Sequence, residues 1–401
     1  MGASLTLAVG TMLFGVGGAG SAAPGASVHE VGTWGASADR TIAALDTQTV
    51  RDVVHTSIGG SGLRIRLSNA FGSAPVTFGH AYVGVQASGA ALVAGSNRQV
   101  TFGGSPSVTI PVGAQVLSDP LPGTFPAQTN LAVSLHLQGA GGTVTGHNAA
   151  HQTSYVSSTG DHAAEESAAA FTTTMTSWYW LDGVVVTAPH TVDAVAALGD
   201  SITDGTDSTT NANNRWTDVL ARRLLQRPAA QQMGVLNEGI AGNMVTGERK
   251  GVSAQTRFDR DVLSQPGLET VILLEGINDI NLGGPDGQGT SADALIAGYG
   301  QLIARAHARG KCIAGGTLTP FEGSDRFTEP REAVRQAVNS FIRTSGEFDA
   351  VIDFDRAVRD PAHPSRYLPR YDSADHLHPS DAGHQAMGDA VNLSDLVCKR
   401  R

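Results

Sequence analysis

Four short stretches in the second half of the chain carry the residue types that nucleophilic catalysis needs. Ser201 stands in Gly199-Asp200-Ser201-Ile202, directly behind the apolar run that ends at Leu198. A serine on such a turn is presented with little obstruction, because Gly199 tolerates tight geometry. A strand-to-helix turn also leaves backbone N–H groups free for a developing anion. Asn237-Glu238-Gly239-Ile240-Ala241-Gly242-Asn243 follows the next apolar run, and Gly242 can bring its N–H to a ligand without side-chain interference. Gly276-Ile277-Asn278-Asp279 follows a third, and the Asn278 amide can donate to an oxyanion. Asp375-His376-Leu377-His378-Pro379 places a carboxylate three residues ahead of a histidine. Such a carboxylate fixes the ring's tautomer and supports the imidazolium formed when the ring takes a proton.

Each stretch alone has an ordinary structural explanation: a turn, a glycine loop, an Asx turn, a short histidine loop. A metal reading of His376 and His378 lacks a third ligand at suitable spacing, and no His-Glu-x-x-His occurs. A metal site there is therefore not expected. No Gly-x-Ser-x-Gly is present, which disfavours an α/β-hydrolase nucleophile elbow.

The elements that must position these residues begin near Pro189. Strands are predicted over Val192 to Leu198, Gly234 to Leu236, Thr270 to Leu274, Cys312 to Leu318 and Ala350 to Phe354. Helices are predicted over Arg215 to Leu225, Ser253 to Leu263, Ala292 to Ala308, Pro330 to Thr344 and Ser380 to Val391. Strands alternating with helices indicate a parallel sheet, whose ligands sit beyond the carboxyl ends of the strands. All four stretches fall on that edge. From about Val31 to Thr187 the pattern is instead short, alternating and turn-punctuated, as in Leu63 to Leu67, Ala81 to Val85, Val108 to Val112, Leu131 to Leu137 and Trp178 to Val186. That half reads as an all-β sandwich or jelly-roll-like sheet pair.

With the four stretches in order, the C-terminal half resembles the SGNH (GDSL) hydrolase superfamily over roughly residues 190 to 395. The positions that match its four blocks are Ser201, Gly242, Asn278 and His378, with Asp375 matching the family's aspartate. The whole chain is also similar to secreted bacterial esterases with a β-rich domain ahead of the SGNH domain. The resemblance implies a flavodoxin-like three-layer α/β/α sandwich and hydrolysis of carboxylic esters, with no metal or organic cofactor needed. It implies a triad of Ser201, His378 and Asp375, with an oxyanion hole from Ser201 N–H, Gly242 N–H and the Asn278 amide. Candidate substrates are short-chain acyl or O-acetyl esters of carbohydrates. The alternatives are a lipase or lysophospholipase-type acylhydrolase, and a non-catalytic carbohydrate- or surface-binding protein with a relic SGNH domain. A monomer acting on a small-molecule, polysaccharide or lipid ester is expected.

Composition narrows the partners further. Of 401 residues 49 are glycine, about 12 % against a usual share near 7 %. A formal charge of -10 disfavours nucleic acid or anionic lipid, and only Lys250, Lys311 and Lys399 are lysines. Leu5 to Val16 is apolar but too short to span a bilayer, so no integral anchor is expected. With small residues up to Ala26 it reads as a secretory signal cleaved before Ala23, although no Lys or Arg precedes it. The expected organisation is a signal and linker over 1–26, a β-sandwich accessory domain over 27–188 and a catalytic domain over 189–396. In the implied fold the last helix ends at the edge where the fourth strand begins. This makes a Cys312–Cys398 disulfide one option, with a buried free thiol plus an exposed terminal one as the other.

Other residues carry weaker expectations. Asp204 and Asp279 are candidates for bracing the site loops, or for plain cap and turn roles. Arg215-Trp216 is expected to pack against the Ser201 loop, and Glu275 would need a partner if buried. Trp34, Trp178, Tyr179 and Trp180 are expected in the core rather than on a sugar-stacking surface. His136, His147, His151 and His162 lack metal spacing and read as surface or polar-core residues. The β-rich half is a candidate wall of the active-site cleft.

Overall fold

A computed structural model of the chain describes residues 27–398, apart from 42, 44, 285 and 286. The expected secretory signal lies outside the described residues. The N-terminal region is antiparallel throughout and fits a β-sandwich. One sheet runs Val28–Gly35, Leu181–Pro189, Gly60–Ser68 and Leu121–Phe125, with Gln115–Leu117 also on Gly60–Ser68. A larger one centres on Gln48–His55, Asn130–Leu137 and Val76–Ser88. Asn130–Leu137 is a middle strand of that sheet and buries almost every residue, with Leu131, Val133, Leu135 and Leu137 on one face and Ala132, Ser134 and His136 on the other. Val50, Val83, Leu131 and Val184 lie in its core, along with Trp34, Trp178 and Trp180. Trp178 Nε1 donates to the Val53 carbonyl at 2.7 Å, so even its polar atom is used internally. The predicted strand from Trp178 to Val186 is broken at Trp180, which sits at φ +60°.

After Pro189 the chain builds five parallel strands: Asp193–Gly199, Met233–Gly239, Leu268–Leu274, Cys312–Gly316 and Ala350–Ile352. The second of these lies at one edge, followed by the first, third, fourth and fifth. That 2-1-3-4-5 order is the flavodoxin-like one. The first and third strands read as unbroken apolar runs, Ala194 to Leu198 and Val271 to Leu274, because they are interior strands buried on both faces. Their chain paths diverge at the sheet's switch point, which opens a crevice at the carboxyl ends.

The expected helices intervene, short helices Ser201–Asp204 and Ile277–Leu282 are added, and two predicted spans change. The segment predicted as one helix over Ser253 to Leu263 is a single α-turn, Ala254–Arg257, continued by a wider π-type stretch, Phe258–Leu263. The last predicted strand stops at Ile352. Asp353 then caps a short helix, Phe354–Val358, by accepting from Arg356 N–H at 3.1 Å. Ser291, Thr328 and Ser380 cap the longer helices in the same way, each accepting an N–H three residues on.

The edge strand Met233–Gly239 is not left open. Val28–Gly35 runs against it, Ala36 bridges to Asn237, and Val235 N–H donates to Ser57 Oγ at 2.9 Å. Ser57 Oγ in turn donates to Thr33 O at 2.6 Å. The two regions share one continuous apolar core. At the start of the fourth parallel strand, Cys312 forms a disulfide with Cys398, their Cα atoms 5.6 Å apart. The bonded option is therefore the one realised. No helix among the described residues is long and apolar enough to cross a membrane.

Candidate active site

Ser201 is the first residue of a one-turn helix, Ser201–Asp204, that starts where the first parallel strand ends. Asp200 caps it through a 3.0 Å bond from Ile202 N–H. Burial pushes the Asp200 carboxyl up to about 7, against the pull of that N–H. A Cβ on Gly199 would lie 2.2 Å from Thr203 Oγ1 and 2.5 Å from the Leu274 carbonyl, so the strand end admits no side chain there. As the first helical residue, Ser201 has an N–H with no intrahelical acceptor.

His378 comes from the loop that precedes the last helix, Asp381–Ala390, whose cap Ser380 ends that loop. Its Nε2 lies 2.8 Å from Ser201 Oγ, and its Nδ1 lies 2.5 Å from Asp375 Oδ2. The other oxygen of Asp375 accepts the N–H groups of Leu377, at 2.9 Å, and His378, at 2.8 Å. Against some cost of burial, these bonds hold the Asp375 carboxyl far below the usual carboxylate range. The structure thus brings Ser201, His378 and Asp375 into one hydrogen-bonded line. His376 faces elsewhere, with Nδ1 on Asp372 Oδ2 at 2.5 Å. Among the described residues, the group spaced to hold a cation is Asp207, Asp375 and His378, which reuses the Nδ1 already bonded to Asp375.

Gly242 and Asn278 border the same cleft as Ser201 and His378. Gly242 sits at φ +81°, a left-handed conformation that favours glycine, and a Cβ there would lie 2.8 Å from Lys250 Cγ. Asn278 donates one amide hydrogen to the Asn243 carbonyl at 3.0 Å, which fixes the plane of the amide and leaves the second hydrogen for a ligand. The cleft measures about 460 Å³, within the range of small-molecule sites.

Buried polar residues fix these loops relative to one another. Asp279 accepts from Val245 N–H at 2.8 Å and Thr246 N–H at 3.1 Å, tying the third-strand loop to the second-strand loop. Asp204 accepts from Ala241 N–H at 2.9 Å, tying the serine turn to the same loop. Both therefore brace the site. Arg215 packs against the serine turn as expected, with Nε on the Asp204 carbonyl at 2.9 Å. Arg257, fully buried, bonds the Gly199 carbonyl at 3.0 Å, the Glu238 carbonyl at 2.6 Å and Asn243 Oδ1 at 2.9 Å. It so gathers the ends of two strands and the glycine loop. Glu275 lies beside it, 3.6 Å from Arg257 Nη2, with both carboxyl oxygens lacking a hydrogen bond. Burial, helped by Asp200, pushes the Glu275 carboxyl well above its ordinary range.

The β-rich region was a candidate wall of the cleft, but sequence reading did not single out the residues that it contributes. Ser37, Asp39, His147, Asn148 and Ala149 line the cleft opposite the catalytic loops, so this region does form one wall. Ser37 Oγ accepts from Arg257 Nη1 at 2.7 Å, and His147 Nε2 lies 3.0 Å from Asp204 Oδ1. No local motif marks either residue, because the partners are 220 and 57 positions away.

Residues 197–386 match the family model for the GDSL-like lipase/acylhydrolase family. Among solved structures, the chain is similar to a catalytic mutant of an acetylxylan esterase from Geobacillus stearothermophilus. The identity is 22 %, covering 52 % of this chain and 97 % of that one, with a TM-score of 0.38. It is also similar to a GDSL-like lipase from Bacteroides thetaiotaomicron (17 %, 50 % and 85 %, TM-score 0.37). A member of the lipolytic G-D-S-L family from Veillonella parvula stands at 19 %, 50 % and 95 %, with a TM-score of 0.36. Among curated proteins none matches. The parallel-sheet half of the chain thus carries a GDSL-like lipase/acylhydrolase domain, a member of a hydrolase family.

Proposed function

We propose that the protein is a secreted serine esterase that hydrolyses carboxylic esters through Ser201, His378 and Asp375. The observation that carries this reading is the unbroken line of hydrogen bonds from Ser201 Oγ through the His378 ring to Asp375. Ser201 Oγ attacks the ester carbonyl while His378 Nε2 takes its proton. Asp375, bonded to Nδ1, holds the tautomer that leaves Nε2 free to accept and stabilises the imidazolium that results. The tetrahedral oxyanion receives the N–H of Ser201, the N–H of Gly242 and the free amide hydrogen of Asn278. His378 then returns the proton to the departing alcohol. Water, deprotonated by the same ring, releases the acid and regenerates Ser201.

A cleft of about 460 Å³, with Ile240, Ala149 and Leu377 on its lining, supports a short acyl group. Esters of carbohydrates, O-acetyl groups above all, are the substrate class we infer. A lipase-type acylhydrolase is the alternative within the same chemistry. The catalytic unit is read as a three-layer α/β/α sandwich over 189–396, behind a β-sandwich over 27–188. The 2-1-3-4-5 parallel order supports the first of these and the antiparallel sheets the second. The disulfide supports export to an oxidising compartment.

The test is p-nitrophenyl ester turnover with acyl chains from acetate to palmitate, by wild type and by Ser201→Ala. Turnover is expected to be highest on acetate and lost in the variant. Equal rates in the two proteins would support the relic binding module instead. A maximum on palmitate would support the lipase alternative.

A further inference from the structure

We propose that His147, contributed by the β-rich region, is a positioning residue for the oxyanion-binding loop and acts through Asp204. The inference rests on the esterase reading above, and His147 lies outside the residues that the family model covers.

His147 ends the strand Val144–His147, and its ring packs against the Trp178 indole with centroids 5.3 Å apart. Nδ1 lies 2.9 Å from the Ser37 carbonyl and Nε2 lies 3.0 Å from Asp204 Oδ1. A carbonyl and a carboxylate only accept, so the ring uses both nitrogens as donors and is a cation. Burial opposes that charge, but the neighbouring Asp204 carboxylate and the two hydrogen bonds outweigh it and raise the ring's pKa above its ordinary value. Both side chains are almost fully enclosed, at 5 % and 3 % exposure, so the pair is little screened.

The position of Asp204 gives this pair its consequence. Asp204 closes the one-turn helix that Ser201 opens. Its Oδ2 accepts from Ala241 N–H at 2.9 Å, and Ala241 directly precedes Gly242. One carboxylate therefore sets the distance between the nucleophile's turn and the loop that supplies an oxyanion donor. His147 holds that carboxylate in orientation and places a counter-charge beside it inside the protein. With His147 removed, Asp204 is a buried carboxylate without its counter-charge, and its grip on Ala241 N–H loosens. A displacement of about 1 Å in catalytic geometry costs roughly 100-fold in rate. The loss should fall on kcat, because oxyanion bonds strengthen in the transition state rather than in the bound substrate. The β-rich region is, on this account, a structural part of the catalytic apparatus.

The experiment measures p-nitrophenyl acetate kinetics for wild type, His147→Phe, His147→Gln, Asn278→Ala and the double variant H147Q/N278A. Rates are expressed per active serine titrated with a p-nitrophenyl phosphonate, so that unfolded molecules do not count. His147→Phe should lower kcat about 10- to 100-fold, the cost of misplaced geometry, with KM little changed. His147→Gln should retain more activity, since its amide can still donate one bond to Asp204. The double variant should lose less than the product of the single losses, because both changes act on one oxyanion hole. Two variants at position 147 within twofold of wild type would overturn the proposal, as would a change in KM alone. Losses that multiply in full with N278A would do the same, since they would mark His147 as a contact between regions and no more. If His147→Phe yields no titratable serine, His147→Gln decides. Wild-type turnover no higher than that of Ser201→Ala would overturn the esterase reading itself, and this proposal with it.

Discussion

Replacing Asp375 with asparagine should be more damaging than its near-isosteric size implies, and the surrounding bonds show why. Asp375 Oδ1 accepts two backbone N–H groups, from Leu377 at 2.9 Å and His378 at 2.8 Å, while Oδ2 takes His378 Nδ1 at 2.5 Å. An asparagine must choose which position receives its NH2. Placing the NH2 against the two N–H donors would leave both unsatisfied, at about 1–3 kcal/mol each. The amide oxygen therefore stays on the backbone and the NH2 faces His378. Nδ1 must then accept, which moves the ring proton to Nε2 and points it at Ser201 Oγ, 2.8 Å away. A ring in that tautomer cannot take the serine's proton. The loss should approach the roughly 10⁴-fold seen when a triad aspartate is amidated, about 5.5 kcal/mol in the barrier. Asp375→Ala lets the ring choose its tautomer and should lose less. The assay is kcat on p-nitrophenyl acetate for both variants, with KM followed in parallel. An Asp375→Asn enzyme within tenfold of wild type, or faster than Asp375→Ala, would refute the tautomer argument.

Other consequences follow from the same geometry. Asn278→Ala removes one oxyanion donor and should lower kcat about 10²- to 10³-fold with little change in KM, read on the same ester. Cys312→Ser/Cys398→Ser opens a cross-link spanning 86 positions. Chain entropy alone sets the cost near 4.6 kcal/mol, measurable as a shift in urea denaturation, and a loss below about 1 kcal/mol would contradict it. His384 is buried, with Nδ1 accepting from Trp216 N–H at 3.3 Å. Burial lowers its pKa to about 4, while the unfolded ring keeps a value near its ordinary 6.5. The folded state binds fewer protons between those values, so this contribution to stability is complete above pH 6.5 and lost as the pH falls toward 4. Thermal midpoints from pH 7 to 4.5 should drop less in His384→Gln than in wild type.

Much of the C-terminal half was legible because its signals are local. The apolar run Ala194 to Leu198 reports an interior parallel strand, and Ser201, Gly242, Asn278 and His378 each sit within a few residues of a strand end or helix start. The β-rich half also announced itself through alternation and turns, and its tryptophans proved to be core. What sequence could not show was how the two halves meet. Arg257 reads as one arginine on a helix, yet it bonds Ser37 and binds the ends of two strands. His147 stood among four histidines without metal spacing, and only the packing of one region on the other gives it Asp204 as a partner. Glu275 was recognisable as a strand-end carboxyl in need of a partner, but Arg257 at 3.6 Å was not foreseeable from spacing. The short helix Phe354–Val358 was not foreseen, and its first residue was read as strand because Ala350 to Phe354 is largely apolar; its cap Asp353 is the signal that marks the change.

The central claim is that Ser201 is the nucleophile. Its most direct test is to inactivate the protein with a p-nitrophenyl phosphonate and locate the adduct by peptide mass spectrometry. One phosphonyl group per chain is expected, on Ser201, with p-nitrophenolate released and esterase activity lost in proportion to labelling. Full activity in a stoichiometrically labelled protein, or an adduct on a different serine that accounts for the inactivation, would contradict it.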